Sequence, residues 1–289
     1  MNNNILRLPP QPIGPVKMVF LDLDGTTLNP NKELTPATQN ALKLLKKHGI
    51  PFTFASARSS QMMTLHCQKA CVTGPIIAME GADLLIWDTG NSIRRFPIEK
   101  AVALDFIQFC HNSGFDYTIY TSQDAYFPQN TKRLPRFHHY NRLATEAGLL
   151  PVSCLFYEAY TPQYIISQGI LKVLVNGTDP QVREAIHQYV QDHPNLKAEG
   201  SESGLISVVS SQVSKAASIA LLCRMLGIEL KDVCCIGDYY NDIEMLTQAG
   251  WSVAMGNAPE EVRNAAQYVT LPNSDDGVAY FIRHYICGE

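Results

Sequence analysis

Val16-Lys17-Met18-Val19-Phe20-Leu21-Asp22-Leu23-Asp24-Gly25-Thr26 is the stretch from which the fold is read. Its run from Val16 to Leu21 is short, β-rich and ends on an acid, the pattern of a buried strand. Two carboxylates two residues apart follow, and Gly25 lets the backbone turn sharply. Thr35 then reads as a helix cap and Pro36 as the first helical residue. Gly49 reads as the terminator after Lys46-Lys47-His48. Ile50 to Ala55 is a second strand, Ser59 to Cys71 a second helix, and Ile76 to Ala78 a third strand. This alternation predicts βαβ units on a parallel sheet.

The texture changes near Leu84. Leu84–Trp87 and Ser92–Phe96, joined by Asp88-Thr89-Gly90-Asn91, read as a β-hairpin. Beyond it are a helix at Glu99–Asn112, strands at Tyr117–Tyr120 and Ala125–Phe127, and a polar region rich in His, Arg and Tyr. A strand at Ile170–Val175 and a helix capped by Asp179 close this α+β stretch. Alternation resumes after Gly204. It gives a strand at Leu205–Val209, a helix at Ser214–Leu226, a strand at Val233–Gly237, a short helix at Asn241–Ala249, a strand at Trp251–Met255 and a helix at Glu260–Ala266. The expected organisation is therefore an α/β domain in two pieces, 14–84 and 203–289. An inserted α+β module occupies 85–202, behind a flexible tail at 1–13.

Composition narrows the function classes. The chain has 289 residues, with 23 Lys+Arg against 27 Asp+Glu and a net charge of −4. Such a balance argues against coating nucleic acid or an anionic membrane, both of which favour clustered basic surface. Hydrophobic residues make up 46%, enough for a proper core. No stretch approaches the ~18 apolar residues of a membrane span, and the Asn/Pro-rich start lacks the apolar run of a signal peptide. The expectation is a cytoplasmic protein, a monomer or small homo-oligomer. Its eight cysteines include no Cys-x-x-Cys pair and are expected as free thiols.

Four patches carry chemistry, each expected at the carboxyl end of a parallel strand, where open α/β sheets bind ligands. Asp22-Leu23-Asp24-Gly25-Thr26 offers one carboxylate as nucleophile and another as proton donor. An Asp-rich turn capping the next segment would explain an isolated Asp-x-Asp. Ser56-Ala57-Arg58 offers a hydroxyl and backbone N–H groups to a phosphate oxygen, or simply a helix cap. Lys215, after Ser214, would stand at a helix start against the macrodipole unless anions sit nearby, or be a solvated surface lysine. Ile236-Gly237-Asp238-Tyr239-Tyr240-Asn241-Asp242 places an acid after a buried strand with Asn and Asp a turn later. That suits a hard cation, or the capping of the following helix.

Taken together, these motifs resemble the haloacid dehalogenase superfamily, specifically its Cof-type phosphatases of subclass IIB. Val253-Ala254-Met255-Gly256-Asn257-Ala258 and Asp276-Gly277-Val278-Ala279 match that branch's C-terminal signatures. The resemblance implies a Rossmann-like core with a parallel sheet and an inserted α+β cap of the C2B type. It implies a Mg²⁺-dependent phosphatase of small phosphorylated metabolites, such as sugar phosphates or phosphorylated cofactors. By the same resemblance Asp22 attacks phosphorus to give an aspartyl-phosphate, and Asp24 protonates the leaving oxygen and then activates water. Mg²⁺ is held by the Asp22 side chain, the Asp24 carbonyl and Asp238. Phosphate oxygens meet the Leu23 N–H, Ser56, the Ala57 N–H, Lys215 and Asn241, while Asp242 orients Lys215 or metal-bound water from outside.

The chain departs from the branch at four places. Ser56-Ala57-Arg58 stands for Thr-Gly-Arg, Ala216 for Gly, Glu80 for Asn and Thr27 for Leu. None removes a chemical group. Two other readings remain at this level: a phosphomannomutase-like phosphotransferase, or a non-catalytic phosphometabolite-binding protein on the same scaffold. In the insert, Arg136, His138, His139, Tyr140 and Arg142 form either a cluster for a leaving group or a solvated helix face.

Overall fold

The computed structural model describes residues 6–200 and 204–289, which divide into two compact units. The first comprises the chain up to Ser56, with His66–Ile77 and Ser214–Glu289. Its five-stranded sheet runs in the order Tyr268–Val269, Trp251–Ala254, Val233–Gly237, Met18–Leu21, Phe52–Phe54, with every pair parallel. Met18–Leu21 and Val233–Gly237 are buried along their whole length, as strands covered on both faces must be. Cys234 and Cys235 fill opposite faces as small core residues, and all eight cysteines are free. The helix Pro36–Lys47 turns Thr38, Ala41, Leu42 and Leu45 inward, and the Thr35 hydroxyl accepts from the Thr38 N–H at 3.1 Å.

Strand order decides where a ligand can sit. From Met18–Leu21 the chain steps to Phe52–Phe54 on one side, and later to Val233–Gly237 on the other. These two steps diverge between Met18–Leu21 and Val233–Gly237, so the crevice beyond their carboxyl ends is the switch point of the sheet. Register pairs Leu21 with both Ile236 and Phe54. Asp22, Asp238 and Ser56 therefore leave adjacent strand ends.

The expected tail at 1–13 is corrected for residues 6–13. The Arg7 N–H donates to Val269 O at 3.0 Å and Arg7 O accepts from the Val269 N–H at 2.7 Å. The Ile13 N–H reaches Tyr285 O at 2.7 Å, and Ile13 is buried. The edge strand Tyr268–Val269 leaves backbone groups open to pairing, and Arg7 takes them. Residues 1–5 lie outside the described residues.

The second unit comprises Ala57–Leu65 and Ala78–Val213. Its six-stranded sheet runs Leu196–Gly200, Leu205–Ser210, Lys172–Asn176, Tyr117–Tyr120, Asp124–Phe127, Ser153–Phe156. It is antiparallel except for the last pair. Tyr117, Ile119, Val173, Val175, Ile206 and Val208 alternate onto one face. There they pack with Phe106 and Ile107 of helix Lys100–Asn112 and Ile186 of helix Pro180–Gln191.

The expected boundaries at 84 and 203 are corrected: the second unit begins at Ala78, takes Ala57–Leu65 as well, and runs to Val213. Leu205–Ser210 looks like a buried parallel strand in sequence, but it pairs antiparallel with Lys172–Asn176 and belongs to the second unit. Among the helices and strands not legible in sequence are Leu134–Glu146, Ser153–Phe156, Pro162–Ser167 and Leu196–Gly200 of this unit, and Tyr268–Val269 and Gly277–Phe281 of the first. Leu134–Glu146 buries only Phe137, Tyr140 and Ala144, a stripe too thin to stand out. Arg136, His138, His139 and Arg142 are exposed on it, the solvated face. Tyr140 turns inward and donates to Gln61 O at 2.7 Å. The expected single helix over Ser59–Cys71 is a 3₁₀ turn at Ser60–Met63 followed by an α-helix at Thr64–Ala70. Glu80 has φ 60°, a left-handed position where Asn is accommodated more readily than Glu.

One acid in this unit ties stability to pH. Asp83 starts the strand Asp83–Ile86, paired across from Arg95 of Ser92–Arg95, whose Nε reaches its Oδ1 at 3.3 Å. Burial pushes the Asp83 carboxyl up from 3.8 to about 6, against the opposing pull of Arg95 and Ser92. Between those values the folded chain holds a proton that the unfolded chain has released, so stability falls as pH rises across that window. At 1.36 kcal/mol per unit the loss is at most about 3 kcal/mol. Asp83→Asn should flatten the fall in melting temperature between pH 4 and 6 and be at least as stable as wild type at pH 7. An unchanged slope with lower stability at pH 7 would assign the dependence elsewhere.

Candidate active site

Asp22 follows the strand Met18–Leu21 directly, and its N–H donates to Ile236 O at 3.0 Å, extending the ladder into the switch point. The chain then turns back tightly, with the Leu28 N–H on Leu23 O at 2.9 Å. Gly25 has φ +84°, and a Cβ there would stand 2.2 Å from the Asp238 carboxylate. The turn therefore needs glycine both for its conformation and for its closeness to the neighbouring strand end. Gly237 is constrained by closeness alone, because its Cβ would lie 2.6 Å from Asp242 Cγ.

Lys215 arrives differently from expectation. The strand before it lies in the second unit, so a helix start delivers it, not a parallel strand end. Ser214 caps that helix, accepting from the Ala217 N–H at 3.0 Å. Ala216, in place of glycine, sits buried in the first turn, where alanine is a good helix former. The Lys215 ammonium donates to Asp22 Oδ1 and to Asp242 Oδ1, each at 2.7 Å, with its side chain 1% exposed. Two carboxylates thus answer the unfavourable meeting of a cation with a helix N-terminus. The other oxygen of Asp242 accepts from the backbone N–H groups of Asp238 at 2.9 Å and Tyr239 at 3.1 Å. Asp242 therefore fixes both Lys215 and the loop that carries Asp238.

Asp22, Asp238 and Asp242 offer carboxylate oxygens within 4.8 Å of one another, all buried. Burial raises the Asp22 carboxyl to about 7; Asp242 and Asp24 add to the rise, and Lys215 opposes it. One ammonium among three buried carboxylates leaves an excess of negative charge. The donors are all oxygen and partly neutralised, which fits a hard divalent cation such as Mg²⁺. Asp24 differs from Asp22. Its side chain is 32% exposed and ion-paired with Lys32 at 3.1 Å, so the two acids of one turn occupy a dry and a wet position.

Ser56 is buried, its N–H held by Ile77 O at 2.9 Å. Asn241 lies in the 3₁₀ turn Tyr240–Asp242, half-buried. Leu23 is buried in the first turn. Ala57 follows Ser56 in the chain but groups with the second unit, and it is not among the residues with positive φ. Alanine in place of glycine is thus accommodated there without backbone strain.

Three site residues escaped the sequence reading. Thr26 donates to Asp238 Oδ1 at 2.6 Å, Asn257 donates to Gly25 O at 2.9 Å and Asp238 Oδ2 at 3.4 Å, and Lys32 pairs with Asp24. Asn257 lies in a stretch already noted for its resemblance, which was the available signal; Lys32 carried none.

Comparison with known proteins identifies the family and the fold. A family model described as haloacid dehalogenase-like hydrolase matches residues 19–282. The phosphatase YwpJ of Bacillus subtilis (strain 168) is 27% identical, over 94% of this chain and 100% of its own length. The 5-amino-6-(5-phospho-D-ribitylamino)uracil phosphatase YcsE of the same organism is 25% identical, over 94% of this chain and 96% of its own. A solved haloacid dehalogenase-like hydrolase from B. subtilis superposes with a TM-score of 0.80 at 24% identity, covering 93% of this chain and 99% of that one. Among the described residues no helix is long and apolar enough to cross a membrane. With the acids, the lysine and the switch-point crevice in place, the chain belongs to the haloacid dehalogenase-like hydrolases, among their Cof-type phosphatases.

Proposed function

We propose that this chain is a Mg²⁺-dependent phosphatase of small phosphorylated metabolites that works through an aspartyl-phosphate on Asp22. The observation that carries this reading is the buried Asp22 carboxylate, gripped by Lys215 at 2.7 Å beside Asp238 and Asp242. A pure binding protein has no need for a second acid, Asp24, two residues on. Sugar phosphates and phosphorylated cofactors are the proposed substrates, in keeping with the phosphorylated compound named for the 25% identical relative. The second unit is proposed as the cap that selects the leaving group.

In the first step Asp22 Oδ attacks phosphorus while the bond to the leaving oxygen breaks, and Asp24 gives that oxygen its proton. In the second, water attacks the acyl phosphate, Asp24 takes the water's proton, and the Asp22 carboxylate leaves. The dry position of Asp22 suits a nucleophile held in one geometry. The wetter position of Asp24 suits an acid that must meet both leaving group and water. Lys215, Ser56, Asn241 and the N–H groups of Leu23 and Ala57 would receive the phosphate oxygens. Asp22, the Asp24 carbonyl and Asp238 would hold Mg²⁺, whose charge when bound offsets repulsion between the carboxylates and a phosphate dianion. Asp242 holds Lys215 on line, and Thr26 and Asn257 hold Asp238.

Four outcomes test this reading. Hydrolysis of p-nitrophenyl phosphate should vanish in EDTA and return with Mg²⁺; hydrolysis undiminished by the chelator would refute the metal dependence. Asp22→Asn should abolish turnover, because an amide cannot form the acyl phosphate. Asp24→Asn should keep substrate binding and slow turnover least for leaving groups of low pKa. Full activity in Asp22→Asn, with deamidation excluded by mass spectrometry, would sink the mechanism. Lys215→Met should lower kcat/KM by roughly 10²–10³. It should also cost about 3–5 kcal/mol of stability, since two buried carboxylates lose their cation. Assays well below the lowered melting temperature separate the two effects, and normal turnover there would place Lys215 outside the chemistry.

A further inference from the structure

The boundary between the two units falls inside a phosphate motif: Ser56 groups with the first unit, Ala57 and Arg58 with the second. What ties the second half of that motif to its unit is a buried lysine on the unit's own sheet. Lys172 opens the interior strand Lys172–Asn176 and is 2% exposed. Val173 and Val175 of the same strand face the apolar core, so Lys172, like Leu174, points from the opposite face. Its ammonium donates to the main-chain carbonyl of Ala57 and lies 5.1 Å from the centre of the Tyr120 ring. Burying an ammonium is costly, and these two contacts offset part of that cost.

The bond acts at a critical place in the backbone. The Ser56 N–H is anchored to Ile77 O at 2.9 Å, and Arg58 O accepts from the Met79 N–H at 2.8 Å. Lys172 anchors the peptide between Ala57 and Arg58. The remaining peptide of this run, between Ser56 and Ala57, carries the N–H assigned to phosphate, and its direction follows from the anchored planes on either side. The side chain of Gln61 donates to Ser122 O at 2.8 Å, and Tyr140 donates to Gln61 O at 2.7 Å. These bonds hold the next turn of the segment to the same unit.

We infer that Lys172 is a positioning residue for phosphate binding: its ammonium fixes the Ala57 carbonyl and so aims the Ala57 N–H at a phosphate oxygen. This rests on the phosphatase reading above. The effect belongs to the phosphate end of the substrate, whatever the leaving group.

The test uses the full chain with Mg²⁺, comparing wild type, Lys172→Met and Lys172→Arg. The readouts are kcat and KM for p-nitrophenyl phosphate and for a bulkier phosphate monoester, and the inhibition constant of inorganic phosphate. Lys172→Met should raise both KM values and the phosphate inhibition constant together by roughly 10- to 100-fold, the scale of losing a positioned contact. Its kcat should change less. Lys172→Arg, which keeps a charged donor, should recover most of the loss. If Lys172→Met gives no cooperative melt, the decision passes to Lys172→Arg and Tyr120→Phe. Arg should hold the phosphate inhibition constant within about threefold of wild type. Phe, which keeps the ring face, should leave it unchanged. An unchanged constant in a folded Lys172→Met overturns the inference and leaves the proposed function standing. So does a loss confined to the bulkier ester, or a failure of Arg to recover binding. A wild type that neither hydrolyses nor binds phosphate overturns both.

Discussion

The ion pair of Lys215 with Asp22 and Asp242 is the interaction on which the rest of the site depends. A lysine at a helix N-terminus, nearly inaccessible to water, is stable only because two carboxylate oxygens stand 2.7 Å away. Those carboxylates are in turn tolerable in the interior because the ammonium and backbone N–H groups answer them. Three segments far apart in the chain are thereby held at one point: the end of the first strand, the start of a late helix, and the turn after Val233–Gly237. Negative charge remains in excess even so, and the carboxyl of Asp22 rises to about 7 through burial. Such an oxygen-rich site favours further positive charge, the chemistry of a hard divalent cation.

Backbone closeness is the second constraint. The turn through Gly25 passes so near the Asp238 carboxylate, and Gly237 so near Asp242, that no side chain fits at either position. Asn257 stitches these parts together by bonding both Gly25 O and Asp238, and it is positioned in turn by the Asn273 N–H at 2.9 Å. The C-terminal signature around Asp276 works at a distance from the chemistry. Its carboxylate accepts from the Thr35 hydroxyl at 2.5 Å and so secures the start of the first helix.

The second unit follows different packing rules. Its sheet is antiparallel over most of its width, with one face on the apolar core and the other bearing residues such as Lys172 and Thr118. Polar side chains buried on the face away from the core need partners there, as the Lys172 ammonium finds in the Ala57 carbonyl. Its hold on Ala57–Leu65 means that the two neighbours Ser56 and Ala57 answer to different bodies of the protein.

The local sequence determined the elements with strong punctuation. Thr35-Pro36 and Asp179-Pro180 cap their helices as read, because a cap is a bond between near neighbours. The continuously apolar strands around Asp22 and Asp238 were legible too, since burial on both faces leaves no alternation to misread. Their motifs also pointed to the chemistry, as residue types and short spacings survive in one dimension. Tertiary structure alone decided which sheet Leu205–Ser210 joins, because a short apolar run carries no mark of parallel or antiparallel pairing. It likewise decided that Arg7 pairs with the edge strand and Ile13 with Tyr285, that Lys32 meets Asp24, and that Lys172 reaches Ala57 across 115 residues. Each of those is a contact between distant segments. The free energy that selects them comes from packing and charge in three dimensions, which no local pattern records.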